Sequence, residues 1–241
     1  MSSQLDSLPK IGQSVLGYPS RLLSRTEVAK DTLAFQFQRP RNFLFRPGQF
    51  IDLTLRGVPG YEMLGFSHTF SIASSCFASD ILLATRMRDS AFKRALAALP
   101  LGPEVSIRGP MGSFVLHSDA SRTPFLSMLS SAAIDNSHPP VLLFYSNRYI
   151  EDAAFMDTLW DLEMSNRNYR FVPTFTRIEP GHGGWKGATG PINAQLLSHA
   201  SDLHNPIYYV AGPQAWLPVH QTLVELAVPE EDIRFEHFAG Y

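Results

Sequence analysis

The sequence predicts a mixed architecture: an N-terminal antiparallel β-barrel followed by an α/β domain on a parallel sheet. Three observations carry this. Residues 15–117 read as short strands parted by turn residues. After His117, strands alternate with amphipathic helices, the pattern of a parallel sheet. The 18 prolines and 16 glycines are scattered as punctuation between elements. The division falls at 1–117 and 118–241.

Within the first part, Leu33, Phe35 and Phe37 alternate with Ala34, Gln36 and Gln38, the period of a strand with one buried face. Gln49–Leu55, Ile81–Met87, Val105–Arg108 and Ser113–His117 continue the series. Between them, Ala91–Leu99 carries Phe92, Ala95, Leu96 and Leu99 on one helical face and ends at Pro100 and Gly102. Short strands at this spacing predict closure into a barrel.

In the second part, Thr123-Pro124 reads as an N-cap with proline at the first helical position, opening a helix to about Ala133. Pro140–Ser146 is continuously apolar, as a strand covered on both faces requires. A helix at Glu151–Glu163, a strand at Tyr169–Thr176 and a helix at Ile192–His199 follow. A strand at Ile207–Ala211, a helix at Trp216–Leu226 and a strand at Ile233–His237 complete the expected order.

Composition removes several classes of function. A hydrophobic content of 44% with 17% charged residues belongs to a folded globular chain. A net charge of −2 supplies no basic field for nucleic acid. The single cysteine, Cys76, excludes an internal disulfide and the four thiolates of a plant-type iron–sulfur cluster in this chain. His182, His199, His204, His220 and His237 lack metal-ligand spacing, so no metal site is expected. No run approaches the ~20 apolar residues of a membrane span, and the polar Met1–Lys10 lacks an apolar leader core. The expected location is cytoplasmic.

The chemistry concentrates in Ser67-His68-Thr69-Phe70-Ser71-Ile72-Ala73-Ser74, downstream of Pro47-Gly48-Gln49-Phe50. An aromatic ring beside small hydroxyls on a strand can stack on a flat ring and hydrogen-bond its edge. Ser90 and Lys93, at the start of the Ala91–Leu99 helix, stand where a helix N-terminus can receive phosphate. The segment resembles the flavin-binding signature of the ferredoxin–NADP reductase family, usually Arg-x-Tyr-Ser followed by small residues. Gly109-Pro110-Met111-Gly112 resembles that family's turn closing the barrel.

By that resemblance the cofactor is FAD, with FMN the less favoured alternative. Phe70 provides the stacking wall, Ser71 contacts flavin N5, and His68, Thr69, Ala73, Ser74, Ser90 and Lys93 complete the cradle. His68 replaces an arginine and Phe70 a tyrosine. Arginine is always charged, whereas histidine loses its charge near neutral pH, so phosphate grip should weaken as pH rises.

The resemblance extends to a nicotinamide half for NADPH or NADH. Thr123-Pro124 matches the end of the family's Gly-Gly-x-Gly-x-Thr-Pro loop, but the preceding strand and glycines are missing, about a dozen residues or one strand with its loop. Ser146, Arg148 and Arg177 stand where the family binds the adenosine ribose, and the arginines suit a 2′-phosphate. Ala211-Gly212-Pro213 matches a Cys-Gly-Pro turn, with Ala211 replacing the cysteine. The ending Glu236-His237-Phe238-Ala239-Gly240-Tyr241 resembles a branch whose terminal aromatic covers the flavin. That assigns Tyr241 to the cover, with Phe238 as the alternative, and Glu236 to a proton relay.

The implied function is a flavin-dependent oxidoreductase. Hydride passes from NAD(P)H to FAD, and electrons leave to a separate acceptor such as ferredoxin or a small molecule. The alternative is a flavin-binding interaction subunit, or an impaired variant, that cannot bind nicotinamide normally for want of the pyrophosphate loop.

Overall fold

Alternation of side chains shapes the first half. In the computed structural model, which describes residues 17–57, 66–113, 126–134, 140–179, 184–212 and 216–236, six strands form an antiparallel sheet. They are β1 (Tyr18–Ala29), β2 (Thr32–Gln38), β3 (Phe50–Leu55), β4 (Phe66–Ser71), β5 (Asp80–Arg86) and β6 (Glu104–Met111), in the order β4-β3-β6-β1-β2-β5. Ile51, Leu53 and Leu55 on β3 meet Phe35, Phe37, Ile81, Leu83, Val105 and Ile107 in one buried cluster. The two end strands meet. The Ala73 amide donates to the Leu82 carbonyl at 2.7 Å, and the Leu82 amide donates to Ser74 Oγ at 3.1 Å. The sheet therefore closes as the sequence predicts.

Gly109-Pro110-Met111 lies within β6 and is not a separate turn. Pairing with β3 shifts register between Phe50 and Asp52, the mark of a bulge. Gly109 adopts φ +142°, and a Cβ there would lie 3.2 Å from the Phe50 carbonyl oxygen. The position needs glycine for close backbone approach. The extension expected at 114–117 lies outside the described residues.

Helix α1 (Ala91–Ala98) packs Phe92 and Leu96 into the barrel core. Its cap is Ser90, whose Oγ accepts the Lys93 amide at 3.2 Å.

The second half follows the expected alternation, with shifted boundaries. Helix α2 (Leu126–Ile134) precedes β7 (Val141–Asn147), and α3 (Met156–Ser165) leads to β8 (Tyr169–Phe175). The helix expected from Glu151 begins later, because Phe155 takes the left-handed conformation at φ 59° and a single 3₁₀ turn occupies Ile150–Asp152. Strand β9 (Ala188–Thr189) is short, and α4 (Ala194–Leu197) spans four residues before another 3₁₀ turn. Strand β10 (Tyr208–Ala211), helix α5 (Trp216–Glu225) and strand β11 (Ile233–Glu236) close the described chain.

The strands pair in parallel, but among the described residues they form two sheets, β7-β8-β9 and β10-β11. One cluster joins Leu129 of α2 and Leu159 of α3 to Val141, Leu143, Tyr169 and Phe171. A second joins Leu197, Leu223 and Ile233, and Phe144 of β7 packs against it. The sheets are thus neighbours through Phe144 without sharing a ladder among the described residues. All four residues of β10 are only half-buried, although Tyr-Tyr-Val-Ala has the composition of a covered parallel strand.

Phe37 has 0% exposure in the barrel core. Its replacement by alanine should cost about 3–5 kcal/mol of unfolding free energy, read as a lower urea midpoint at unchanged slope.

Candidate functional site

The site is organised by β4. Its register with β3 pairs Leu53 with His68, Ile51 with Phe70 and Asp52 with Thr69. Since β3 turns Ile51 and Leu53 inward, Phe66, His68 and Phe70 share the inner face and Ser67 and Thr69 the outer one.

On the inner face the rings form a layer. His68 stacks on Phe70 with centroids 4.9 Å apart and an interplanar angle of 29°. Phe92, in the first turn of α1, lies 5.3 Å from His68 and 5.8 Å from Phe70. Phe70 retains only 6% exposure and belongs to the barrel core, whereas His68 is half-buried. The stacking surface expected of Phe70 is therefore covered on the His68 side. His68 presents the outer ring and stands beside the start of a capped helix with no acidic residue in its first turn. That N-terminus carries partial positive charge.

On the outer face, Thr69 Oγ1 donates to Asp52 Oδ1 at 2.6 Å, and Arg108 donates to Asp52 Oδ2 at 2.5 Å. Thr54 and Ser67 hydroxyls meet at 2.6 Å. Burial pushes the Asp52 carboxyl up. The Thr69 hydrogen bond, the Arg108 hydrogen bond and charge, and His68 together outweigh it and hold the group below its ordinary value. Sequence reasoning missed this network. Its signal was the polar alternation of Asp52 and Thr54 against Thr69 and Ser67.

Several expected cradle residues have other tasks. The Ala73 amide and Ser74 Oγ are engaged in barrel closure by Leu82. Lys93 is buried, and its Nζ donates to the Arg86 carbonyl at 2.8 Å. Desolvation, with help from the charge of Arg88, lowers its pKa. Ser90 Oγ is taken by the helix cap. Thr69 faces Asp52, on the side of β4 opposite the ring layer. Ser71, half-buried at the end of β4, lies opposite Phe50.

In the second half, three predicted residues converge at the C-terminal ends of parallel strands. Ser146 pairs in register with Thr174, and the Arg177 amide donates to the Arg148 carbonyl at 3.0 Å. Ser146, Arg148 and Arg177 are exposed there. Gly212 follows β10 at φ +152°, and among the described residues nothing lies within 4 Å of a notional Cβ there. Glu236 ends β11 opposite Ala211. Thr123, Phe238 and Tyr241 lie outside the described residues. Among the described residues no cluster of His, Cys, Asp and Glu is arranged to hold a metal, and no helix is long and apolar enough to cross a membrane.

This geometry can be set beside known proteins. No protein-family model matches the chain. Over 212 residues it is 28% identical to the NADPH nitrate reductase of Fusarium oxysporum, covering 74% of this chain and 23% of that protein. Over 218 residues it is 23% identical to the reductase component of propane 2-monooxygenase from Mycolicibacterium goodii, covering 83% and 61%. The chain therefore spans less than two thirds of the length of these curated relatives. Among solved structures, a ferredoxin NADP+ reductase from Neisseria gonorrhoeae with bound FAD and NADP superposes with a TM-score of 0.75 at 20% identity, covering 93% of this chain and 99% of that one. The fold is that of the ferredoxin–NADP reductase-like FAD/NAD-binding proteins.

The Asp52 network gives a signed expectation. A carboxylate held below its unfolded value, about 4, contributes stability above that pH and loses it as pH falls through the folded-state value. Asp52→Asn should destabilise the fold by about 1 kcal/mol at pH 7. In paired urea titrations the wild-type advantage should be constant above pH ~5 and shrink below pH ~4.

Proposed function

We propose that this chain is a flavin-dependent oxidoreductase that takes hydride from NADPH or NADH onto FAD and passes electrons to a separate acceptor. The carrying observation is the convergence of His68 with the first turn of α1, Phe92 lying 5.3 Å from its ring. A helix N-terminus beside an imidazole favours phosphate, and a ring layer next to it favours a planar heterocycle. When bound, FAD supplies the hydride-accepting and electron-transferring chemistry.

The protein's share is binding and orientation. His68 and the opening amides of α1 would neutralise phosphate, while Phe70, buried behind His68, keeps the ring layer in place. The Ser71 hydroxyl would meet the flavin edge. Ser146, Arg148 and Arg177 would hold the adenosine end of the nicotinamide cofactor, and two arginines favour a phosphate there, hence NADPH. Gly212 would leave room for close approach. Thr123, Glu236 and Tyr241 keep the parts that the family resemblance gives them, as do the domain boundary near residue 117 and a cytoplasmic location. The acceptor is read as a ferredoxin-type protein or a small molecule.

A second reading is a flavin-binding subunit with impaired nicotinamide binding, favoured by the sequence before Thr123, where the family's glycine loop has no counterpart by resemblance.

Anaerobic stopped-flow mixing separates the two. Rapid bleaching of flavin absorbance by NADPH is expected; a folded yellow protein that neither nicotinamide bleaches would establish the subunit instead. In the same protein His68→Arg should tighten FAD retention about tenfold, as a forked, permanently charged guanidinium replaces an imidazole. Unchanged retention would take His68 out of the phosphate contact.

A further inference from the structure

The chain's two halves touch at two described junctions, at opposite ends of β5. At its start, the loop after β4 reaches α2: the Ser75 hydroxyl lies 3.0 Å from Ser131 Oγ, and the Cys76 amide donates to the same oxygen at 3.2 Å. At its end, Arg86 pairs with Asp152 at 2.7 Å, and the neighbouring Lys30 amide donates to the Glu151 carbonyl at 2.8 Å. Seven residues of strand separate the two, roughly 20 Å.

The Arg86 junction is unlike an ordinary surface ion pair. The Asp152 side chain keeps only 7% of its exposure, so its charge is committed to Arg86. Arg86 is itself fixed from behind, because the buried Lys93 ammonium donates to its carbonyl at 2.8 Å. Lys93 belongs to α1, the helix whose N-terminus faces His68. One short stretch, Arg86–Lys93, therefore holds the junction at one end and the helix start at the other.

We propose that Arg86 and Asp152 are positioning residues: a latch between the halves that sets the approach of the nicotinamide side to the flavin side. Lys93 ties this latch to the helix that receives the cofactor phosphate. The inference rests on the oxidoreductase reading for its catalytic consequence, but the latch itself does not. With the pair broken, the Ser75–Ser131 contact is left as a pivot, and the backbone bond from Lys30 resists rotation only weakly. Phosphate held at α1 stiffens the stretch that carries Arg86, so cofactor occupancy and the angle between the halves are linked.

The test uses the full-length chain with Asp152→Asn, Asp152→Glu and Arg86→Lys. The asparagine variant should bind FAD about fivefold more weakly than wild type in a fluorescence titration, because occupancy and the latch are linked, and is compared with wild type at saturating FAD. Its flavin bleaching by saturating NADPH should slow at least tenfold while reduction by dithionite is unchanged. Asp152→Glu should restore most of the rate and Arg86→Lys part of it. Small-angle scattering should show a larger radius of gyration for Asp152→Asn than for wild type, and FAD should contract wild type more than the variant. Unchanged bleaching with unchanged scattering would overturn the latch. If wild type itself is not bleached, the oxidoreductase reading fails alone, and the scattering comparison still decides the latch. If Asp152→Asn does not fold, Arg86→Lys, which keeps charge and loses the fork, carries the same comparisons.

Discussion

Everything in the first half depends on two hydrogen bonds to one residue, Leu82. The Ala73 amide and Ser74 hydroxyl meet its carbonyl and amide, joining the two ends of a six-stranded sheet that would otherwise stop at free edges. Closure fixes where β4 lies relative to α1, bringing Phe66, His68 and Phe70 against Phe92 of the helix. The ring layer and the helix N-terminus come together because the barrel shuts. A residue that serves closure is not also available to a ligand through the same atoms, which is why Ala73 and Ser74 read as cradle residues in the sequence and as structural ones in the fold.

Much of this was legible from period alone. Leu33, Phe35 and Phe37 announced β2, Ile51, Leu53 and Leu55 announced β3, and the Ala91–Leu99 face announced α1 within a residue of its end. Less legible was anything set by the left-handed backbone or by distant partners. No pattern in Glu151–Glu163 reveals that Phe155 turns left-handed and delays the helix. Lys93 looked like a phosphate ligand because lysine near a helix start usually faces solvent. The fold instead buries it, since the carbonyl of Arg86, seven residues earlier, is within its reach. Gly109-Pro110 looked like a turn and lies inside a bulged strand, because the register of a distant partner, β3, decides between the two.

The second half shows how local propensity and global pairing can part company. The βα steps keep their expected order, with Val141, Leu143 and Phe171 buried as covered strands require. Yet β10 remains half-exposed in spite of its apolar composition. Among the described residues, side-chain clustering around Phe144 is what links the two short sheets. Packing of this kind is tolerant of spacing in a way a hydrogen-bonded ladder is not.

The serines between the halves have a thermodynamic consequence. Ser131 spends its single proton on the Ser127 carbonyl at 2.7 Å, so it can only accept from Ser75 and from the Cys76 amide. All three serines are buried. Melting either half alone would exchange the bonds across the junction for water, at a net cost of about 1 kcal/mol per bond. A barrel and an α/β unit that look separable in the topology are thereby coupled, each steadying the other against unfolding by the worth of these shared bonds.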